Sequence, residues 1–268
     1  MYKMKKHLII GNPISHSLSP KLHNYWFKQN SIEAIYEKAQ PEEGEIEKIL
    51  QEVKSNNIWG MNVTVPFKKK VIPFIEKLSK TAKETNSVNT IFKKENMIYG
   101  DNTDVQGFVS SLKYENCELK DKKAFILGAG GVVPSVIKAL KNLGLKQIFL
   151  SNRTKKNSDY IVKLFPEIIL VEWGQIPNFD IVINATSLGL KKDDYLNLDF
   201  KKTNDSKIFY DLIYNPPVTN FLKKAKESGH KIINGKMMLL FQAQKAFEIW
   251  HGFLPKIDDK LIELLDND

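Results

Sequence analysis

Two polar clusters in the first part of the chain contain a lysine and a carboxylate that could share a proton. Asn62 and Thr64 are two residues apart, so on a β-strand they would share a face, and Lys68 follows them. The second cluster, Gly100–Asp104, ends in Asp104 and adds amide and hydroxyl side chains. A lysine after a strand is more often an ordinary surface residue. A Lys–Asp pair in a cleft, however, can transfer a proton while a cofactor transfers hydride, so we predict that Lys68 lies in a cleft with a carboxylate of this cluster, Asp101 or Asp104.

A polar loop near the start of the chain could receive a small anion. The loop Gly11–Pro20 follows an apolar strand and carries Ser17 and Ser19, and we predict that Ser19 is the N-cap of a helix with a proline in its first turn. A carboxylate would meet free backbone N–H groups there, although capping alone is the alternative role for Ser19. His16 and His23 are seven residues apart but have no carboxylate or cysteine partners nearby, so we predict no metal site.

A glycine-rich turn in the middle of the chain is typical of a dinucleotide-binding βα unit. Gly128–Gly131 lies between an apolar strand, Ala124–Leu127, and a predicted helix, Val133–Leu143. Glycines let backbone N–H groups approach a pyrophosphate at the helix N-terminus, where the helix dipole favours anions. Val133 takes the place of the third glycine of the usual pattern, so the packing of the helix is expected to differ. The alternative is a plain strand-to-helix turn without a ligand.

Arg153 is the only arginine in the chain and lies in the run Ser151–Lys156, directly after the next apolar strand. An NAD enzyme commonly has an acidic residue at this point for the ribose 2′-hydroxyl. This run has no acidic residue and combines the arginine with a threonine and two lysines. A guanidinium binds phosphate through a planar fork that lysine lacks. We therefore predict NADP rather than NAD, the alternative being a solvated basic turn.

Strand and helix signals alternate along the chain and predict an α/β protein of two domains. In the second half, short apolar runs separated by helix or loop signals predict a parallel, doubly wound sheet. Two amphipathic helices near the end, Met237–Trp250 and Leu261–Leu265, are expected to return and pack on the first domain. The predicted domains are residues 1–104 with 237–268, and residues 105–236.

The composition narrows the functional class. No apolar run approaches the roughly 20 residues that cross a bilayer, and Gly11-Asn12-Pro13 ends the first apolar run too early for a signal peptide. Cys117 is the only cysteine, so we expect no disulfide, no thiolate metal site and a cytoplasmic location. The net charge of +9 comes from lysines distributed along the 268 residues, which argues against a nucleic-acid interface and against a membrane partner.

The order and spacing of these motifs resemble the shikimate dehydrogenase family over essentially the whole chain. The matching segments are Gly11–Pro20, Asn62–Lys68, Ser87–Thr90, Gly100–Asp104, Gly128–Gly131, Asn152–Thr154, Asn184–Gly189, Tyr210–Pro216 and Gly235–Gln242. The resemblance implies an N-terminal α/β substrate domain and a Rossmann-like NADP domain. It also implies NADP-dependent, reversible reduction of 3-dehydroshikimate to shikimate in aromatic amino acid (chorismate) biosynthesis, with a homodimer as the expected assembly.

The same resemblance implies roles for individual residues. Lys68 and Asp104 would form the catalytic pair. The residues that would hold the substrate are Ser17, Ser19, Thr64, Asn89, Asp104, Tyr214 and Gln242. The residues that would contact NADP are Gly128, Ala129, Gly130, Gly131, Val132, Asn152, Arg153, Thr154, Leu212 and Gly235.

Two positions depart from the family pattern, and three other functions stay open. Asn157 stands where a second basic residue often binds phosphate, and Met237 stands where a small residue is common. The nearest alternative function is a quinate/shikimate dehydrogenase with broader substrate or NAD use. A ligand-sensing regulator would be expected to lack Lys68 or Asp104, yet both are present. A nucleic-acid binder is the remaining alternative.

Overall fold

The structure is a computed structural model that describes residues 4–191, the single positions 194, 196, 198 and 200, and residues 206–266. The chain divides into two compact units, Met1–Gly107 with Leu240–Asp268, and Phe108–Leu239. Each boundary between the units lies three residues further along the chain than the predicted domain boundary. Two helices, Asp104–Tyr114 and Lys236–His251, run across these boundaries.

The first unit contains a mixed sheet of six strands. Its strands are β1 (Lys5–Ile10), β2 (Ala34–Ala39), β3 (Gly60–Val63), β4 (Lys77–Leu78), β5 (Thr90–Lys94) and β6 (Met97–Asp101). Its helices are α1 (Ser19–Gln29), α2 (Ile46–Lys54), α3 (Lys80–Thr85) and α9 (Asp259–Asp266), with the first residues of α4 (Asp104–Tyr114) and most of α8 (Lys236–His251). The strand order is β2-β1-β3-β5-β6-β4. β1 is parallel to β2 and β3, and β5 is antiparallel to β3 and β6.

Strand pairing in this sheet brings distant polar segments together. Ile10 pairs with Val63, so the loops that follow β1 and β3 leave the sheet at the same edge. β5 and β6 form a hairpin whose turn residues Glu95 and Asn96 have φ angles of 50° and 59°, as the twist of a tight hairpin requires. The hairpin pairs Thr90 with Asp101, and the residues before β5 therefore lie beside those after β6.

The start of α1 differs from the prediction. We expected Ser19 to be the N-cap, but the cap is Leu18, and Ser19 is the first helical residue. The Ser17 hydroxyl accepts the backbone N–H of Ser19 at 3.3 Å. Because the earlier serine satisfies this N–H and the apolar Leu18 is buried, the predicted capping role of Ser19 is wrong.

The second unit contains a parallel sheet of six strands. Its strands are β7 (Lys123–Leu127), β8 (Gln147–Ser151), β9 (Ile169–Leu170), β10 (Ile181–Asn184), β11 (Ile208–Asp211) and β12 (Lys231–Ile233). Its helices are α5 (Val133–Asn142), α6 (Lys155–Leu164) and α7 (Asn220–Glu227), with most of α4 and the first residues of α8. The strand order is β12-β11-β10-β7-β8-β9, and neighbouring strands in this order run parallel. The predicted doubly wound fold class is confirmed.

The central strands of the second sheet are buried on both faces. Residues Ala124–Leu127 of β7 and all of β10 are buried, as expected for continuous apolar runs covered by helices on either side. β9 is a two-residue edge strand with exposed side chains. Within the described part of the chain, no helix is both long enough and apolar enough to cross a membrane.

Three histidines lie in an aromatic layer of the first unit. His7 and His23 are fully buried, and neither ring nitrogen of either side chain has a hydrogen-bond partner among the described residues. The His7 ring centroid is 5.2 Å from that of His251 and 5.1 Å from that of Trp250. Burial lowers the pKa of His7 to about 3 and of His251 to about 4, and it lowers the pKa of His23 well below its usual value.

These lowered pKa values predict that the fold loses stability in mild acid. Above the unfolded-state pKa of about 6.5 the three imidazoles are neutral in both states, and below it the unfolded chain binds protons that the native state excludes. The free energy of unfolding should therefore fall by roughly 1.4 kcal/mol per pH unit for each of the fully buried His7 and His23 as the pH drops from about 6.5 towards 4. Urea unfolding midpoints between about pH 7 and 4.5 measure this.

Two variants separate the histidines from the carboxylates that also titrate in acid. His23→Phe should make the urea unfolding midpoint less dependent on pH. His16→Gln, at an exposed histidine, should leave that pH dependence unchanged. An equal pH dependence in wild type and His23→Phe would contradict the prediction.

Candidate active site

Lys68 and Asp104 form a buried ion pair in the first unit. The Lys68 Nζ donates to Asp104 Oδ2 at 2.5 Å, and the two residues are 9% and 5% exposed. Lys68 lies in the turn after β3, where its carbonyl accepts the N–H of Val88 at 2.9 Å. Asp104 begins α4, and the Asn102 side chain accepts the N–H groups of Asp104 and Val105 at 3.1 and 3.4 Å. Both charged residues are therefore held by backbone contacts as well as by each other.

Asn89 satisfies the second oxygen of the Asp104 carboxylate. Its Nδ2 donates to Asp104 Oδ1 at 2.8 Å, and its Oδ1 accepts the Thr103 N–H at 2.8 Å. The same Nδ2 lies 3.5 Å from Gln242 Oε1, which α8 contributes to the first unit. A buried carboxylate is stable only when its oxygens are paired, and Lys68 with Asn89 supplies both partners.

The second carboxylate of the Gly100–Asp104 cluster has a different role. Asp101 Oδ1 accepts the Ser79 hydroxyl at 2.5 Å and the Asn102 N–H at 2.7 Å. It thereby links the start of α3 to the end of β6 and does not pair with a lysine in the described contacts. Asp104 is the carboxylate with proton-transfer geometry.

The remaining predicted substrate residues of the first unit lie along the edge where β1 and β3 end. The half-buried Thr64 abuts Gly11, because a Cβ on Gly11 would lie 2.4 Å from the Thr64 methyl group. Ser17 and Ser19 follow in the same loop and are joined by the bond described above. Asn62, expected to project beside Thr64, instead bonds inward to Tyr36, Asn89 and Thr90.

The second unit has a pocket of about 250 Å³ at the ends of β7, β8 and β10. Its lining residues are Gly128, Ala129, Gly130, Asn152, Arg153, Thr154, Asn157, Trp173, Ala185, Thr186, Ser187 and Leu188. Ligands bind at this position in doubly wound sheets, where the strand order reverses. None of these described lining residues is acidic, so the surroundings of Arg153 suit a phosphate.

The glycine-rich turn has the shape that a pyrophosphate needs. Gly128 has a φ of 105°, and a Cβ there would lie 2.8 Å from the Ala185 carbonyl oxygen, so this position requires glycine. Gly131 faces open space, with no atom within 4 Å of a Cβ position. Val132 is the N-cap of α5 and, like Gly131, is not among the pocket residues named above. The turn therefore leaves room for a ligand in front of the N-terminus of α5.

Asp211 holds the loop that carries Leu212 and Tyr214. The buried carboxylate accepts the Thr219 hydroxyl at 2.6 Å and the Ile213 N–H at 3.0 Å, and burial raises its pKa to about 6. A Cβ on Gly235 would lie 2.1 Å from the Leu212 carbonyl oxygen, so the two predicted nicotinamide contacts touch each other and the second must be glycine. Tyr214 is half-buried, and its role as a substrate residue stays a prediction.

Comparison with known proteins identifies the family. Residues 9–91 match the family model of the shikimate dehydrogenase substrate binding domain, and residues 111–224 match that of shikimate / quinate 5-dehydrogenase. The NADP(+) shikimate dehydrogenase of Pelagibacter ubique is 53% identical over 262 residues, which cover 98% of this chain and 99% of that protein. The chain belongs to the shikimate dehydrogenase family.

Solved structures of this family agree with the fold. The crystal structure of the Aquifex aeolicus shikimate dehydrogenase has a TM-score of 0.89 at 35% identity and covers 100% of this chain and 99% of its own. The Thermus thermophilus shikimate 5-dehydrogenase, in complex with NADP(H) and shikimate, has a TM-score of 0.88 at 31% identity. The match covers 98% of this chain and 99% of that protein's chain.

Some pocket residues of this shikimate dehydrogenase family member were not predicted from the sequence. Trp173 lines the same pocket as Arg153, and its position beside Gly174 in an exposed turn was the available signal. Thr186 lines it as well, held by Asn184, whose Oδ1 accepts the Thr186 hydroxyl at 2.7 Å. Asn157, one of the two departures, also lies in this pocket, whereas Met237 is buried in the protein.

The glycine geometry predicts that two glycines in the turn respond differently to alanine. Gly131→Ala should leave the thermal midpoint unchanged, because the methyl group meets no protein atom, yet weaken NADP binding by about tenfold, since it enters the space of the pyrophosphate. Gly128→Ala should lower both the thermal midpoint and the affinity for NADP. The loss of stability should be about 1–3 kcal/mol, because Gly128 has a positive φ and lies against a carbonyl oxygen. Thermal unfolding and NADP titration measure the two effects. Unchanged NADP affinity in Gly131→Ala would place the pyrophosphate elsewhere.

Proposed function

We propose that the chain catalyses the reversible, NADP-dependent reduction of 3-dehydroshikimate to shikimate. The observation that carries the proposal is the buried Lys68–Asp104 pair, 2.5 Å apart and braced by Asn89. Family membership and the names of the relatives support the substrate and the cofactor. The arginine pocket without an acidic residue among its described lining supports NADP independently of those names.

Lys68 is the proposed proton donor. NADPH supplies the hydride when bound, and the substrate oxygen then gains negative charge. The Lys68 ammonium stabilises that charge and can transfer its proton to the oxygen. Asp104 orients the ammonium, and because Asn89 holds its other oxygen, the carboxylate stays fixed while the proton moves.

The substrate-holding residues are proposed on the same basis. Asn89 bonds directly to Asp104, and Gln242 lies beside Asn89. Ser17, Ser19 and Thr64 line the edge where β1 and β3 end. Tyr214 is the substrate residue proposed from the second unit. The groups of the first unit offer hydroxyls and amides suited to a carboxylate and several ring hydroxyls.

The cofactor residues are proposed on the basis of the pocket and the helix N-termini. Gly128, Ala129 and Gly130, with Gly131 and Val132 at the start of α5, would receive the pyrophosphate. Asn152, Arg153 and Thr154 would surround the 2′-phosphate at the start of α6, and the Asn152 side chain is fixed by its 2.7 Å bond to the Thr154 carbonyl. Leu212 and Gly235 would contact the nicotinamide.

The direct test is reduced-nicotinamide absorbance with shikimate or quinate and with NADP or NAD. Turnover should be highest with shikimate and NADP. Arg153→Ala should raise the KM for NADP about tenfold or more and leave the KM for NAD nearly unchanged, because only NADP carries the 2′-phosphate. Lys163→Ala, at an exposed lysine later in α6 and outside the pocket lining, is the control.

Two results would contradict this proposal. Equal turnover of quinate and shikimate would indicate the broader quinate/shikimate dehydrogenase. Equal loss of NADP and NAD binding in Arg153→Ala would show that the guanidinium does not read the 2′-phosphate.

Substitution of Lys68 tests the proton donor. Lys68→Ala should lower kcat by about 10²-fold or more, with a much smaller change in the shikimate KM, because the lysine acts on charge that develops in the transition state. Lys68→Met keeps the side-chain volume and should show the same loss, while Lys69→Ala, at the exposed neighbour, should not. Circular dichroism verifies folding, since the change leaves Asp104 without its cation. Near-normal kcat in Lys68→Met would exclude the lysine as acid.

We also propose a cytoplasmic location and a homodimer. A lone, half-buried cysteine and an NADPH-consuming biosynthetic reaction support the location. Light scattering of the purified chain tests the dimer.

A further inference from the structure

A continuous chain of hydrogen bonds leads from Ser19 to the Lys68–Asp104 pair through Tyr36. Ser19 bonds to the Tyr36 hydroxyl, which donates to Asn62 Oδ1 at 2.6 Å. Asn62 Nδ2 then donates to the Asn89 carbonyl at 3.0 Å, and the Asn89 side chain holds Asp104. Tyr36 lies in β2, outside all of the sequence motifs.

The direction of these bonds is fixed by one backbone carbonyl. The Asn89 carbonyl can only accept, so the amide nitrogen of Asn62 must face it and the amide oxygen must face Tyr36. The phenol therefore donates its only proton to Asn62. The phenol oxygen has only lone pairs left for Ser19, and the Ser19 hydroxyl donates to it. The Ser19 oxygen is thereby left as an acceptor for a hydroxyl group of the substrate.

Tyr36 is held in place by its surroundings. The residue is 2% exposed, and its ring stacks on His23 with centroids 4.4 Å apart and planes within 3°. Burial raises the pKa of Tyr36 well above its usual value, so the phenol keeps its proton. A fixed neutral phenol can hold the Ser19 hydroxyl in one orientation, whereas a free serine hydroxyl rotates among several staggered positions.

We propose that Tyr36 is a positioning residue that sets the orientation of the Ser19 hydroxyl for substrate binding. This inference rests on the proposed function, because it takes Ser19 as a substrate residue. Tyr36 acts through Ser19 and does not touch the reacting atoms. Its hydroxyl is needed both as an acceptor for Ser19 and as a donor to Asn62, and phenylalanine offers neither.

A double-mutant cycle tests the inference with wild type, Ser19→Ala, Tyr36→Phe and the double variant. Ser19→Ala should raise the shikimate KM. Tyr36→Phe should raise it about 3- to 10-fold, the effect of one buried hydrogen bond, with kcat and the KM for NADP changed less than about twofold. In the Ser19→Ala background, Tyr36→Phe should add no further increase, because the group that it positions is absent.

The outcomes distinguish the role of Ser19 in substrate binding from the role of Tyr36 in positioning Ser19. An unchanged shikimate KM in Ser19→Ala would overturn both the proposed role of Ser19 and this inference. A raised KM in Ser19→Ala together with an independent, multiplying effect of Tyr36→Phe would overturn the inference alone. So would a lower thermal midpoint in Tyr36→Phe without any change in the shikimate KM. Tyr25→Phe is the control, since its hydroxyl bonds to Asp258 at 2.9 Å and should leave the shikimate KM unchanged.

Discussion

Burial of the Lys68–Asp104 ion pair imposes the main constraint on the first unit. Removing two charges from water costs several kcal/mol, and their mutual attraction offsets this only when the remaining polar atoms are also bonded. The hairpin of β5 and β6 meets that requirement by aligning Asn89 with the residues after β6. The Asn102 side chain then starts α4 at the correct residue. The position of the Asp104 carboxylate is thus determined by strand pairing as much as by its own sequence neighbours.

In the second unit, backbone groups supply most of the predicted cofactor contacts. Its predicted cofactor contacts come from helix N-termini and from glycines whose replacement would meet a carbonyl oxygen, at Gly128 and at Gly235. Side-chain charge enters mainly through Arg153 on the pocket wall. The two units therefore differ in what substitutions they tolerate. In the first, the identity of buried polar side chains matters, and in the second, the absence of a Cβ atom matters.

Local signals were sufficient for the regular parts of the fold and for the motif residues. β7 and β10 are continuous apolar runs, and α5 follows its glycine turn as predicted. The two-residue strand β4 and the lysine-rich helices α6 and α7 were not predicted. β4 is too short to show a pattern, and α6 and α7 bury only two and three residues, so few apolar positions mark them in the sequence. The predicted Ser19 cap failed because the helix begins one residue earlier than expected, with Leu18 as its cap, and Ser17 accepts the Ser19 N–H.

The inward turn of Asn62 shows why the rest of the site could not be read from the sequence. Alternation along β3 correctly places Asn62 on the face opposite Met61 and Val63, but alternation does not say whether a polar side chain meets a ligand or another polar side chain. Whether Asn62 meets a ligand depends on Tyr36, which is 26 residues away, and on the Asn89 carbonyl. Both of these partners lie beside Asn62 only because the strands of the sheet pair. Most buried polar groups are bonded, so a polar side chain that is buried near a site indicates a partner. The partners, unlike the motif residues, are specified by the fold.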